Sequence, residues 1–168
     1  FCKLSVNVLM IYADLGWIAI IGGVKLIDDD PVYGDGFKGA ISMKVKFPTA
    51  ECMIQSVGQF GNAPDDFRYF FVDAEAGFKT GLQLGNTGLA IYGFSGGFFY
   101  NMQRQGASPK DVAAGKNIDN MPPNSPPILS DELLQPGISL SGTQYIPHEH
   151  STGMQAGMIF GLSVPQTF

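Results

Sequence analysis

One pentapeptide in this sequence matches the pattern that surrounds a serine nucleophile. Gly93-Phe94-Ser95-Gly96-Gly97 fits G-x-S-x-G, and Asp131 and His148 follow it in the hydrolase order of nucleophile, acid and histidine. That chemistry needs the serine on a sharp turn from a strand into a helix, whereas Phe98-Phe99-Tyr100 begins another aromatic strand. We therefore interpret Ser95 as a turn residue, and we predict no catalytic residues and no enzymatic activity.

A second motif resembles a nucleotide-binding loop. Residues Gly34 to Gly39 satisfy G-x-G-x-x-G by letter. A dinucleotide site needs a strand before this motif and a helix after it, but here a loop precedes the motif and a strand follows it. The acidic residues nearby would also repel a pyrophosphate. The sequence therefore predicts no nucleotide and no other cofactor.

Two groups of residues could ligate metal ions. Carboxylates cluster around a turn at Asp28, Asp29, Asp30 and Asp35. Their oxygens suit Ca²⁺, although the spacing lacks the EF-hand pattern and its closing Glu. We interpret them as a solvated acidic turn and leave calcium open. His148-Glu149-His150 would place two imidazoles on one face, but no further zinc ligand is visible, so we predict surface histidines and no metal site.

Aromatic residues and cysteines each allow two interpretations. Strand aromatics could form a sugar-stacking platform, although core packing is the commoner use of such residues. The residues concerned are Tyr12, Trp17, Tyr69, Tyr92 and Tyr100. Cys2 and Cys52 could form a disulfide or serve as two small buried hydrophobic residues, and the sequence does not decide between these.

Much of the chain has the two-residue period of β-strands. Between Ile41 and Phe47 the alternation predicts a strand with one core face and one solvated face that carries Lys44 and Lys46. Between Phe67 and Met102, aromatic and aliphatic residues alternate among glycines and predict roughly four strands with apolar groups on both faces. We predict an all-β fold of antiparallel sheets, either a sandwich or a stacked-sheet module.

Residues 103–137 interrupt this pattern because they collect six prolines among polar residues and glycine. We predict one long Pro-rich loop here, with short helical turns at 108–111 and 130–134. Beyond it, Gly137 to Ile146 predicts a strand, residues 147–153 a hairpin tip, and 154–164 the returning strand. The whole of 1–168 is then a single β-rich module.

Composition limits the partners of this module. Charged residues make up 15% of the chain and the net charge is −5, so no basic field is available to bind nucleic acid. The opening FCKLSV and the closing VPQTF look cut from a longer polypeptide, which predicts that the chain is a fragment and that targeting signals cannot be read from it.

Three strings carry a family resemblance: FRYFFVDA, GLQLGNTGLAIYGFSGGFFYNM and GISLSGTQYIPHEHSTGMQAGMIFG. They resemble a β-rich segment of very large proteins predicted from genomes of Bacteroidota, many of them secreted or surface-displayed. The resemblance extends from Phe37 to the C-terminus. It implies an extracellular or cell-surface structural or adhesive role and brings no catalytic residues with it.

We therefore expect a non-enzymatic structural or adhesive module of a large cell-surface or secreted protein. Its expected partners are adjacent modules of the same parent chain or identical subunits. An alternative is a segment of an outer-membrane β-barrel, which suits the glycines, aromatics and low charge, although Tyr69 to Val72 is apolar on both faces and disfavours a wide water-filled pore. A second alternative is a serine hydrolase that uses Ser95.

Overall fold

The computed structural model describes residues 8–105 and 129–163, and their strands form one antiparallel sheet of seven. Each strand pairs with the strands before and after it in sequence, so sheet order is chain order. The strands are β1 (Val8–Asp14), β2 (Ile18–Asp30), β3 (Gly34–Lys46), β4 (Glu51–Asn62), β5 (Arg68–Gln83), β6 (Leu89–Gln105) and β7 (Gln144–Leu162). The predicted all-β antiparallel fold is confirmed, as a single sheet rather than two packed sheets.

The acidic segment between β2 and β3 forms the turn that the sequence predicts. Asp30 Oδ1 accepts hydrogen bonds from the backbone N–H groups of Val32 (2.8 Å) and Tyr33 (2.9 Å), and Asp29 N–H donates to Asp35 Oδ1 at 2.7 Å. Carboxylates that bond backbone two or three residues ahead are a common device for closing turns. These side chains therefore have a local structural use.

The glycine-rich centre contains two long strands, so the prediction of about four was wrong. Ser95 lies in the middle of β6 and not in a turn, and residues 147–153 belong to β7 rather than to a hairpin tip. The glycines there make room for neighbours. A Cβ at Gly97 would overlap Asp73 Oδ1, and one at Gly153 would overlap the Phe99 ring.

A bulge shapes the far end of β6 and β7. The pairing shifts register between Tyr100 and Met102, and the intervening Asn101 has a positive φ of 50°. Its side chain donates to Arg68 O (2.8 Å) and accepts from His150 N–H (2.9 Å), so one amide links three strands. Bulges commonly bend a strand and increase its twist.

A short 3₁₀ helix, η1 (Asp131–Leu134), precedes β7. Ser130 caps it by accepting a hydrogen bond from Glu132 N–H at 3.3 Å, which confirms the predicted helical turn. The predicted strand from Gly137 starts only at Gln144, because residues 139–143 fold back through a turn in which Thr143 N–H donates to Ser139 Oγ at 3.1 Å. Most of the predicted Pro-rich loop and the helical turn at 108–111 lie outside the described residues.

We call residues 129–143 the cover segment because they pack on one face of the sheet. The main hydrophobic core lies beneath them, where Leu129 and Leu134 join Ala40, Val57 and Phe71. We call this side of the sheet the covered face and the opposite side the open face. Antiparallel register assigns each regularly paired strand residue to one of the two faces.

The two faces of β3 are reversed relative to the sequence prediction. Ser42 is fully buried and Lys44 is 4% exposed, whereas Ile41 on the other face is 37% exposed. The cationic face is therefore the inner one. Alternation indicates which residues share a face, but only the cover segment and the neighbouring strands determine which face is buried.

Candidate functional site

The covered face is polar and charged over much of its area. Register aligns Lys38 with Gln59, Ser42 with Gln55, and Glu75 with Ser95 across adjacent strands. Burial of so many polar groups is uncommon unless they are hydrogen-bonded. The hydrogen bonds of these polar groups therefore show what the covered face holds in place.

Lys38 attaches the cover segment to the sheet. Its Nζ donates to Gln135 O at 2.9 Å and also to Ile138 O, and it lies 5.0 Å from the centre of the Phe71 ring. The residue is fully buried. A buried ammonium is costly unless its protons are used, and here backbone carbonyls and an aromatic face use them.

A chain of hydrogen bonds holds the cover segment a second time. Gly137 N–H donates to Gln59 Oε1 at 2.6 Å, and Gln59 Nε2 donates to the Tyr69 hydroxyl at 3.2 Å. The Tyr69 hydroxyl donates to Tyr33 O at 2.8 Å. All of these groups are buried, so the hydrogen-bond network fixes the position of the cover segment on the sheet.

The β2–β3 turn joins β7 through tyrosines. The Tyr33 hydroxyl donates to Tyr145 O at 2.9 Å, and Gln144 Nε2 donates to the Tyr33 hydroxyl at 3.2 Å. Burial raises the pKa of Tyr33 above the ordinary value of a phenol. The Tyr145 ring stacks on Phe71 with centroids 4.8 Å apart.

Asp73 is the least satisfied polar group of the covered face. It is 3% exposed; Oδ1 accepts from Gln155 Nε2 at 3.4 Å, while Oδ2 has no hydrogen-bond partner among the described residues. Arg104 donates to Gln155 Oε1 at 2.9 Å and to Thr143 Oγ1 at 3.2 Å, which links this cluster to the cover segment. Gly97 provides the space in which the carboxylate lies.

The open face has the opposite chemistry, because its middle band has no Asp, Glu, Lys or Arg. The band comprises every second residue of the stretches 18–26, 37–45, 52–60, 70–78, 94–100 and 154–162. Its one serine, Ser56, donates its hydroxyl proton to Asp73 O at 3.0 Å. Many large apolar side chains of this band are exposed, including Met154 at 82% and Leu162 at 76%.

Aromatic rings line one end of this band in a continuous row. Phe37 stacks on Phe60 with centroids 5.3 Å apart, Phe60 stacks on Phe70 at 5.5 Å, and Phe70 contacts Phe98 and Tyr100 at 5.7 Å each. We call these five residues the aromatic row. Asp35, Asn62 and Arg68 come next along the strands, so the row separates an apolar band from a charged rim.

The other end of the band also carries aromatic residues. Phe78 and Phe94 make an edge contact at 6.1 Å, and Trp17 and Phe47 are more than half exposed near the β1–β2 and β3–β4 turns. Between the two ends, glycines leave a groove of about 350 Å³ on the open face. Gly22, Gly39 and Gly58 form its floor, with Leu9, Ile11 and Phe60 on its sides.

The hydrolase candidates do not come together. Ser95 pairs with Glu75 and Gly157 in the middle of the sheet. His148 lies where β7 passes Asn101 and Met102, six to seven residues along β6, or roughly 20 Å away at the rise of a strand. Asp131 lies exposed on η1. The arrangement contains no assembled triad of these three residues.

The remaining candidates also have structural positions. Gly34 to Gly39 lies within β3, so no helix follows the glycines, and Gly34 has a φ of +66° where a Cβ would overlap Asn62 O. His148 and His150 are exposed; the His150 ring is 3.8 Å from Glu149. Within residues 8–105 and 129–163, no three His, Cys, Asp or Glu residues are grouped so as to hold a metal ion.

The aromatic candidates do not form one platform. Tyr12 and Tyr69 belong to the covered face, where Tyr69 is 2% exposed, whereas Tyr100 lies on the open face. Tyr92 donates to Leu162 O at 3.2 Å. Cys52 is a buried free thiol, and Cys2 lies outside the described residues.

Sequence reasoning missed the residues that hold the covered face together, namely Lys38, Gln59 and Asp73. A signal for them existed, since each occupies an alternate position in an apolar strand. Recognising them as inner residues also needed the strand register. Register is a property of strand pairs and not of one strand.

Comparisons with known proteins give no relative: no family model, no curated protein and no solved structure matches this chain. The resemblance to Bacteroidota surface proteins stays a prediction. Among the described residues, no helix is long and apolar enough to cross a membrane.

Proposed function

We propose that this chain forms part of the wall of a transmembrane β-barrel, with the open face toward lipid and the covered face toward the barrel interior. The observation that carries this proposal is the uncharged, exposed apolar band of the open face. Monomeric soluble proteins rarely expose a contiguous apolar surface of this extent. In a bilayer the same surface is favourable, because lipid tails replace water around it.

The dimensions of the band agree with those of barrel strands. Five of its six stretches each cover nine residues, namely 18–26, 37–45, 52–60, 70–78 and 154–162. Transmembrane β-strands use about 9–11 residues. Nine residues span roughly 30 Å along a strand. Barrel strands are tilted, so their height across the membrane is smaller and approaches the apolar band of about 25 Å found in outer-membrane barrels.

Aromatic residues at both ends of the band further support a bilayer. The aromatic row lies beside the charged rim at one end, and Phe47, Phe78 and Phe94 lie at the other. Barrels carry such girdles at both membrane interfaces, where an aromatic ring contacts tails on one side and headgroups on the other.

The covered face suits the interior of a barrel that is filled. Apolar residues on both faces of Tyr69 to Val72 argue against a wide water-filled pore, and the structure gives these inward residues a use. Tyr69 and Phe71 pack under the cover segment together with Leu134 and Tyr145. The proposed role is therefore a plugged or narrow barrel wall, in which the cover segment occupies the interior.

Lipid quenching can test this proposal on two adjacent residues of β2. Trp17→Phe removes the native indole, and Val24→Trp and Lys25→Trp then report separately on the open and covered faces. In vesicles with brominated acyl chains, we expect at least a two-fold stronger quenching at position 24 than at position 25. Equal quenching at both positions, or a chain that fails to float with the vesicles, would reject the proposal.

A structural or adhesive module of a cell-surface protein is the second candidate, as the sequence suggested. The observation in its favour is the pair of sheet edges at β1 and β7, which could join neighbouring modules. This candidate requires a protein partner on the open face instead of lipid. It predicts oligomers in detergent-free buffer and no lipid quenching at position 24.

A further inference from the structure

The two edges of the sheet run in the same direction. The sheet is a meander of seven antiparallel strands in chain order, so every odd-numbered strand points the same way. β1 and β7 are therefore parallel to each other. They cannot close the sheet against one another with the antiparallel pairing used at its six internal junctions.

β1 and the part of β7 from Thr152 to Leu162 lack the usual protection against pairing. Natural edge strands are commonly blocked by lysine, by proline or by inward charges. β1 has the sequence VLMIYAD, with a single charge at its last residue. From Thr152 to Leu162, β7 contains no charged residue and no proline. Both edges are therefore competent to accept another strand.

The apolar band of the open face continues to both edges. On β1, Leu9 and Ile11 are 57% and 62% exposed on this face. On β7, Met154, Phe160 and Leu162 are 82%, 58% and 76% exposed. A barrel wall in lipid cannot leave backbone N–H and C=O groups unpaired along such edges, because lipid tails offer these groups no hydrogen-bond partner.

We infer that one additional strand, supplied by another polypeptide segment, pairs with the β7 edge and runs antiparallel to it. Its chemistry follows from the faces that it would continue: about ten residues, apolar at alternate positions toward lipid and small or polar at the others. This inference rests on the proposed membrane function.

A second copy of the chain fits these edges less well. Two copies with the same membrane orientation would place β7 beside β1 of the next copy as a parallel pair. An inverted copy could pair β7 with β7 in antiparallel fashion, but it would put the two aromatic rows at opposite membrane surfaces. Strand direction therefore favours a different segment over a copy.

The direction of the added strand can be measured with a designed peptide. The full chain with Cys2→Ser and Cys52→Ala is reconstituted into vesicles, with a fluorophore on either Phe160→Cys or Met154→Cys. The probe is a ten-residue peptide of alternating Leu/Val and Thr/Ser that carries a nitroxide at its N-terminus. Antiparallel pairing with β7 predicts at least three-fold stronger quenching at position 160 than at 154, and the reverse when the nitroxide is at the C-terminus.

The matched control is the same peptide with alternate backbone amides N-methylated, which removes hydrogen-bond donors and keeps the side chains. It should lose the positional difference. Stronger quenching at 154 by the N-terminal label, or dimers of the chain that exclude the peptide, would overturn the inference. If the peptide does not quench while Val24→Trp is still quenched by lipid, this inference fails alone. If lipid does not quench either, the membrane proposal fails with it.

Discussion

The two faces of this sheet are built from the same strands but have opposite chemistry: polar residues are buried on the covered face and apolar residues are exposed on the open face. On β3, Lys38 and Ser42 are fully buried on the covered face, while Phe37 and Ile41 are exposed on the open face at 45% and 37%. A soluble half-wet sheet would show the reverse, with apolar residues inside and charged ones in water. The proposed membrane function accounts for this difference, because lipid rather than water would then contact the open face.

The faces also differ in what stabilises them. On the covered face, Lys38 donates to the cover segment, Gln59 accepts from it, and Tyr33 donates from the β2–β3 turn to β7. The open face has ring contacts and no network of polar side chains. Substitutions on the two faces should therefore destabilise the protein for different physical reasons. Four predictions test this difference.

The largest effect is expected from a charge in the middle of the open face. Ile41→Arg should lower the free energy of unfolding from a phospholipid bilayer by about 2–4 kcal/mol, since an arginine at the bilayer midplane must be taken out of water. Chemical denaturation of the vesicle-embedded protein measures this. Asn62→Arg, at the charged rim, is the matched control and should cost about 0–1 kcal/mol. Equal small effects at both positions would mean that the open face contacts water.

The attachment of the cover segment should be the next most sensitive. Lys38→Met keeps the apolar stem but leaves the carbonyls of Gln135 and Ile138 without a donor, which should cost about 2–3 kcal/mol. Hydrogen exchange should become faster at Gly137 and Thr143. The exposed Lys79→Met is the control and should change neither quantity. Unchanged exchange in Lys38→Met would show that other contacts hold the segment.

Two adjacent glycines on β6 provide a sharper comparison of the faces. A Cβ at Gly97 would overlap Asp73 Oδ1 on the covered face, so Gly97→Ala should destabilise the protein by about 1–3 kcal/mol. A Cβ at Gly96 would meet only Gln155 O at 3.8 Å, so Gly96→Ala should stay within about 0.5 kcal/mol of the parent. Equilibrium unfolding of both variants measures the difference. Equal losses would argue that backbone freedom matters here and not space.

The smallest effect is expected at the apparent nucleophile. Ser95→Ala should change the free energy of unfolding by less than about 0.5 kcal/mol, because Ser95 is a half-buried strand residue with no assembled histidine and acid. A fluorophosphonate probe should not label the parent chain at Ser95. Labelling that disappears in Ser95→Ala would contradict this and restore the hydrolase alternative.

Local chemistry in the sequence predicts part of this fold. The alternation from Ile41 to Phe47, the acidic turn at Asp30 and the capped 3₁₀ helix after Ser130 each depend on residues close in sequence, and all three are confirmed as elements. The interpretation of Ser95 as a turn residue is wrong because a glycine that breaks a strand and one that makes room for Asp73 look alike in sequence.

The covered face could not be predicted from local pattern alone. Lys38 contacts residues about one hundred positions away, and its alternate position in β3 shows which residues share its face but not that this face is buried. Which face is inside depends on the cover segment, whose position depends in turn on Gln59 and Tyr69. Such contacts need the register of several strands at once.

The meander order has a consequence for how the chain folds. Each strand pairs only with its sequence neighbours, so the sheet can grow hairpin by hairpin with short loop closures. The bonds from Lys38 to Gln135 and from Tyr33 to Tyr145 span 97 and 112 residues and can form only after the cover segment and β7 have reached the sheet. We expect the covered face to stay exposed to water while the sheet assembles. It should exclude water only in the final step, when residues 129–143 dock on it.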